Sequence, residues 1–129
     1  MEVSVIGFGG IPIIARPRAE GEKVVRYAYE KGITYFDTAR AYGDSEEKIG
    51  TALKDVRDKI VLATKVMQRT GEGVARELKQ SLRNLQTDQM DIVQLHMVES
   101  EGELATVTGL NGALNALKEA RPQGKISYI

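Results

Sequence analysis

Residues 33–53 read ITYFDTARAYGDSEEKIGTAL. The apolar run Ile33-Thr34-Tyr35-Phe36 stops abruptly at Asp37, as a buried strand does when it reaches a polar mouth. A short turn containing Tyr42 and Gly43 follows. Ile49, Ala52, Leu53 and Val56 then recur at helical spacing, and Asp44 with Glu47 three residues later has the spacing of a capping box, which predicts a helix over Asp44–Val56.

The same strand, polar turn and helix recur in both directions. Upstream, Val3-Ser4-Val5-Ile6 reads as a first strand ending at Gly7, Gly9 and Gly10, and Lys23 to Lys31 reads as a helix stopped by Gly32. Downstream, Ile60 to Ala63 is a strand ending at Thr64-Lys65. Glu72 to Leu85 is a helix with Val74, Leu78, Leu82 and Leu85 on one stripe, and Met90 to Leu95 is a strand leading into His96. Val98–Thr108 is polar and irregular, Asn111–Ala120 is helical, and Lys125–Ile129 begins a fifth strand. Four strand–helix units and a fifth strand predict a parallel sheet with helices outside it.

Two α/β architectures answer to that rhythm, an open doubly wound sheet and an arc of a (β/α)8 barrel. Asp37, Lys65 and His96 close three different strands, and barrels carry their polar groups at the carboxyl ends of several strands. A dinucleotide fold would want a third glycine and a helix directly after its first strand. Gly7-Phe8-Gly9-Gly10 instead runs toward Pro12. The expected fold is therefore a parallel (β/α)8 TIM-barrel type, with residues 1–129 forming one domain that covers about half a barrel.

Composition narrows the function classes. Eighteen Lys and Arg balance eighteen Asp and Glu, so no bulk charge favours nucleic acid or an anionic membrane. The N-terminal stretch lacks a signal-peptide pattern, and no apolar run approaches the ~20 residues that span a bilayer. No cysteine is present, which excludes thiolate catalysis and disulfides and fits a reducing cytosol; a cytoplasmic protein is the plain reading. The acidic cluster Glu99, Glu101 and Glu103 has no spacing that fixes a metal geometry, so no metal site is expected. Arg16 and Arg18 around Pro17 read as a solvated loop.

Asp37, Tyr42, Lys65 and His96 supply what carbonyl reduction by hydride requires. A phenol can donate the proton, an ammonium can ease its release, a carboxylate can keep the ammonium charged, and an imidazole can orient the carbonyl. Each residue alone also has a structural explanation: Asp37 as a turn residue, Tyr42 as an aromatic lid, Lys65 as a surface cation, and His96, the one histidine, held by a structural partner. Their joint occurrence at successive strand ends favours the chemical reading.

SVIGFGG, ITYFDTARAYGDSEEKIGTAL, KIVLATKV, SLRNLQTDQMDIVQLH and GALNALKEARPQGKISYI together resemble the N-terminal half of the aldo-keto reductase family, in order and over nearly the whole chain. The resemblance implies NADPH- or NADH-dependent reduction of aldehydes and ketones, small-molecule carbonyl compounds, to alcohols. Tyr42 would be the proton donor, Lys65 and Asp37 its tuning pair, and His96 the substrate-orienting group. Gly9, Gly10 and Ile11 would approach the nicotinamide ribose, which Asp37 would also touch. The family's floor hairpin and most of its cofactor grip have no counterpart in these residues. The alternative is a non-catalytic, truncated barrel fragment that self-associates through open sheet edges or completes a barrel with a partner, and its inner face is expected to show contiguous Val, Ile and Leu to water.

Overall fold

A computed structural model describes residues 2–129. Its elements run β1 (Phe8–Gly9), α1 (Arg18–Glu30), β2 (Tyr35–Asp37), α2 (Ser45–Leu53), a 3-10 segment (Lys54–Lys59), β3 (Val61–Val66), α3 (Gly71–Leu85), β4 (Met90–Leu95), α4 (Glu101–Thr108), α5 (Ala113–Ala120) and β5 (Ile126–Tyr128). The strands form one parallel sheet in the order β1-β2-β3-β4-β5. A doubly wound sheet reverses its strand order at a switch point. Here the order never reverses, as in the wall of a barrel.

Register fixes which side chains share a face. Gly9 pairs with Asp37, Asp37 with Ala63, Lys65 with Gln94, and Ile92 with both Ala63 and Tyr128. Because side chains alternate along a strand, Asp37, Ala63, Lys65, Ile92 and Gln94 project from one face. Phe36, Leu62, Val66 and Val93 project from the other and pack under the helices with Val25, Ile49, Leu53, Val74, Leu78 and Leu117. The first face also carries Tyr35, Val61 and Tyr128. There Val61 and Ile92 are interspersed with aromatic, small and polar side chains and do not form the contiguous Val, Ile and Leu surface expected.

Local chemistry explains where the elements begin and end. At the end of α1, Gly32 adopts φ +92, its N–H donates to Tyr29 O (2.9 Å), and that of Ile33 donates to Ala28 O (3.1 Å). This is a Schellman closure of the kind a C-terminal glycine permits. Thr70 caps α3, its side chain accepting from the Gly73 N–H.

Further expectations need correction, beginning with α1, which starts at Arg18, read as part of a loop, rather than at Lys23. The first strand is Phe8–Gly9 rather than Val3–Ile6, and Val5 and Ile6 lie exposed. Ser4 N–H donates to Thr34 Oγ1 and Thr34 N–H to Ser4 Oγ, so hydroxyls take the donors a ladder would have used, while Phe8 packs on Phe36 with ring centroids 5.5 Å apart. The helix over Asp44–Val56 ends at Leu53; Val56 leaves helical geometry (φ −125) within the 3-10 segment and buries its side chain. The Asp44–Glu47 box does not form: Asp44 makes no cap hydrogen bond and pairs with Lys48, and Glu47 pairs with Arg18. Finally, the stretch taken as irregular contains α4, whose N-cap Ser100 accepts from the Glu103 N–H.

Candidate active site

The carboxyl ends of β2, β3 and β4 bring the polar residues together. His96 lies one residue past β4, and its N–H donates to Val66 O (3.0 Å), which extends the ladder and keeps His96 on the face of Lys65. Asp37 is the last residue of β2. Tyr42 arrives from the turn after it: the Tyr42 N–H donates to Ala39 O (3.0 Å), the Ser45 N–H donates to Tyr42 O (2.9 Å), and Gly43 takes φ +49 between them.

Lys65 is largely buried and lies against Asp37, donating to its carboxylate and, at 2.8 Å, to Thr38 O. Its ammonium also stands 5.0 Å from the centre of the Tyr42 ring. The Tyr42 and His96 rings meet edge to face, centroids 5.6 Å apart and planes at 79°. All four residues singled out in the sequence form one cluster.

Its electrostatics have definite signs. Burial, and then the positive charge of Lys65, push the His96 pKa below its ordinary value; Asp37 opposes the shift and Arg69 adds to it. His96 is thus neutral near pH 7, with one ring nitrogen available as an N–H donor. Its Nδ1 is buried without a partner among the described residues. Tyr35, two residues below Asp37 on the same face, has its phenol pushed above the usual 10 by burial and then by the Asp37 charge. A phenol shifted that way is a poor proton donor near neutrality.

Gly9, Gly10 and Ile11 form the rim next to Asp37. The Gly10 N–H donates to Asp37 O (2.8 Å), and Ile11 is more than half exposed. A Cβ on Gly10 would stand 2.4 Å from Ser45 Oγ, whereas a Cβ on Gly9 would meet nothing within 4 Å. Gly10 is therefore required by packing, while Gly9 borders open space at the mouth.

Sequence reasoning missed the residues behind the cluster. Glu46, fully buried, accepts from Thr64 Oγ1 (2.8 Å), Ser81 Oγ (2.7 Å) and Asn84 Nδ2 (3.1 Å) and pairs with Arg40, binding α2, β3 and α3 together. Lys48, equally buried, donates to Ile13 O and Arg16 O (both 2.8 Å) and lies 2.7 Å from Asp44 Oδ1, which fastens the loop after Ile11 to α2. The only hint was that Glu46 and Lys48 fall beside Ile49 on the helix, where charges need internal partners. Arg69 gave no signal at all. Of the acidic cluster, Glu103 pairs with Arg69 at 3.1 Å and accepts from the Glu99 N–H, so it is committed to the protein itself. A groove between α3 and α5, past Leu78, Leu82 and Leu110, shares no residue with the cluster.

An arc of parallel strands carries a Tyr, Lys, Asp and His cluster at its carboxyl mouth, and comparison with known proteins gives its family. The Aldo/keto reductase family matches residues 5–129, and the chain belongs to that family. It is 33% identical to L-galactose dehydrogenase of Arabidopsis thaliana over the whole chain, which corresponds to 44% of that protein. An aldo/keto reductase from Klebsiella pneumoniae, solved in complex with NADP and acetate, is 31% identical with a TM-score of 0.82, covering 98% of this chain and 44% of that one. A thermostable aldo-keto reductase solved with the inhibitor epalrestat is 29% identical with a TM-score of 0.87, covering the whole chain and 49% of its own. The sheet is thus part of a TIM barrel, and the chain spans about half the length of the relatives it matches.

Proposed function

We propose that this chain carries the proton-relay residues of an NAD(P)H-dependent reductase that converts aldehydes and ketones to alcohols. The observation that carries the reading is the ammonium of Lys65 held between the Asp37 carboxylate and the Tyr42 ring, with His96 edge-on to the same ring. Asp37 pairs with the Lys65 ammonium and offsets its charge in a partly desolvated site. Lys65 eases proton release from the Tyr42 hydroxyl to the carbonyl oxygen as negative charge develops there. Neutral His96 donates an N–H to that oxygen and fixes its direction.

NADPH or NADH, when bound, supplies the hydride. The residues present suit its nicotinamide end: Gly9 leaves open space beside Asp37, and that carboxylate can accept a ribose hydroxyl. Gly9, Gly10, Ile11 and Asp37 form only one edge of such a site, so this chain alone is expected to hold the cofactor weakly.

The test is consumption of NADPH, in large excess, with an aromatic aldehyde. Tyr42→Phe should lower turnover by roughly 10²- to 10⁴-fold with folding intact, and Lys65→Met should behave similarly. Parental turnover in Tyr42→Phe would sink the assignment.

A second reading is favoured by the outer edges of β1 and β5, which no strand among the described residues covers. Under it, chains associate edge to edge or with a complementary half barrel, and the cluster is retained without turnover. Light scattering that finds a monomer at high concentration would remove it.

A further inference from the structure

We propose that Arg69 is a positioning residue for His96: its guanidinium holds the left-handed turn that ends β4, and Glu103 on α4 holds the guanidinium. This rests on the reading of His96 as the substrate-orienting group.

The geometry is a three-point clamp. Arg69, in the connection between β3 and α3, donates from Nη1 to His96 O (2.8 Å) and from Nη2 to Met97 O (2.9 Å) and Glu103 Oε1 (3.1 Å). The turn it grips is unusual, because Met97 adopts φ +54 without being glycine. A left-handed side-chain-bearing residue is strained and persists only where its surroundings hold it there. The next turn's residues do the rest: Glu103 also accepts from the Glu99 N–H while Ser100 caps α4, so the segment from His96 to α4 closes on a single cation. Two carbonyls held by one planar fork leave the peptide of His96 little freedom to rotate. Loss of the clamp would let Met97 relax to negative φ and swing the imidazole away from Tyr42.

The charged and titratable groups facing His96 are Asp37 on β2, Tyr42 on the turn after it, Lys65 on β3 and Arg69. His96 is the single histidine, so its ring signals in an NMR titration are unambiguous. In Arg69→Met the titration midpoint should move up toward 6.5, because a positive neighbour is gone and the ring is wetter; Arg69→Lys, which keeps the charge and one carbonyl bond, should move it less. In the aldehyde assay Arg69→Met should lower kcat/KM by roughly 10- to 100-fold, as a misplaced orienting group does, with NADPH binding unchanged. Met97→Gly removes the strain the clamp opposes, so Arg69→Met should do less harm in that background. If Arg69→Met does not fold, restoration of folding by Met97→Gly supports the clamp, and failure to restore it overturns it. An unmoved midpoint in Arg69→Met, or equal damage with and without Met97→Gly, also overturns it. If no carbonyl reduction is found at all, the titration and the double variant still decide the clamp, so its failure and that of the reductase reading separate.

Discussion

Replacing Glu46 by alanine removes the acceptor that serves Arg40, Thr64, Ser81 and Asn84. Arg40 and Asn84 reach solvent in part, but Thr64 and Ser81 are completely buried and cannot turn to water. Breaking a buried charge pair from one side costs about 3–5 kcal/mol, and two stranded hydroxyls push toward the upper figure. With an unfolding entropy of ~2.1 cal/mol/K per residue over 129 residues, the melting temperature should fall by roughly 11–18 °C. Glu46→Gln is the control. Its carboxamide oxygen still accepts from Arg40 and Asn84, while the Thr64 and Ser81 hydroxyls can rotate to accept from its NH2. Only the charge is lost, at about 1–2 kcal/mol or roughly 4–7 °C. Thermal unfolding followed by circular dichroism reads both. A Glu46→Ala loss below about 1 kcal/mol, or Gln as damaging as Ala, would show that the carboxylate does not organise the three elements.

Three further outcomes follow from the same geometry. Gly10→Ala should destabilise the fold by about 1–3 kcal/mol, since its Cβ would meet Ser45 Oγ, Asp37 O and Thr38 Oγ1, whereas Gly9→Ala should leave the melting temperature unchanged and weaken NADPH binding in a fluorescence titration. Lys48→Met should cost about 2–4 kcal/mol, because Ile13 O and Arg16 O lose their donor, with hydrogen exchange rising first in the loop after Ile11. For His96 the folded pKa lies below 6.5, so below pH 6.5 the unfolded chain binds a proton that the folded imidazole refuses. Stability therefore rises with pH between the folded value and 6.5, and urea unfolding of His96→Gln should lack that rise.

The strand ends were legible because chemistry at a barrel mouth interrupts apolar runs with single polar residues. Asp37, Lys65 and His96 each follow such a run, and parallel pairing in simple order carries them to one face. Gly32 was legible for a similar reason, since a left-handed closure has few sequence solutions. Less visible was whatever depended on partners distant in the chain. Val3–Ile6 has the composition of a strand, yet pairing is decided by Phe8 packing on Phe36 and by the Ser4–Thr34 exchange. In α4 only Val107 is buried, so its helical period is too faint to read, and its start lies in a Ser100 cap among acidic residues. Glu46 and Lys48 look like ordinary surface charges of an amphipathic helix until α1, α3 and the loop after Ile11 close over them. Arg69 acts on main-chain carbonyls, which leave no mark in the sequence of the residues that carry them.

The proposed proton relay requires four side chains to meet at one mouth. The most direct measurement is the nuclear Overhauser spectrum of the single histidine in the folded chain. Cross-peaks are expected from the His96 imidazole to the Tyr42 ring, whose centre lies 5.6 Å from that of the imidazole, with both sets of signals perturbed in Lys65→Met. A folded chain in which the imidazole shows no contact with Tyr42 would contradict the relay.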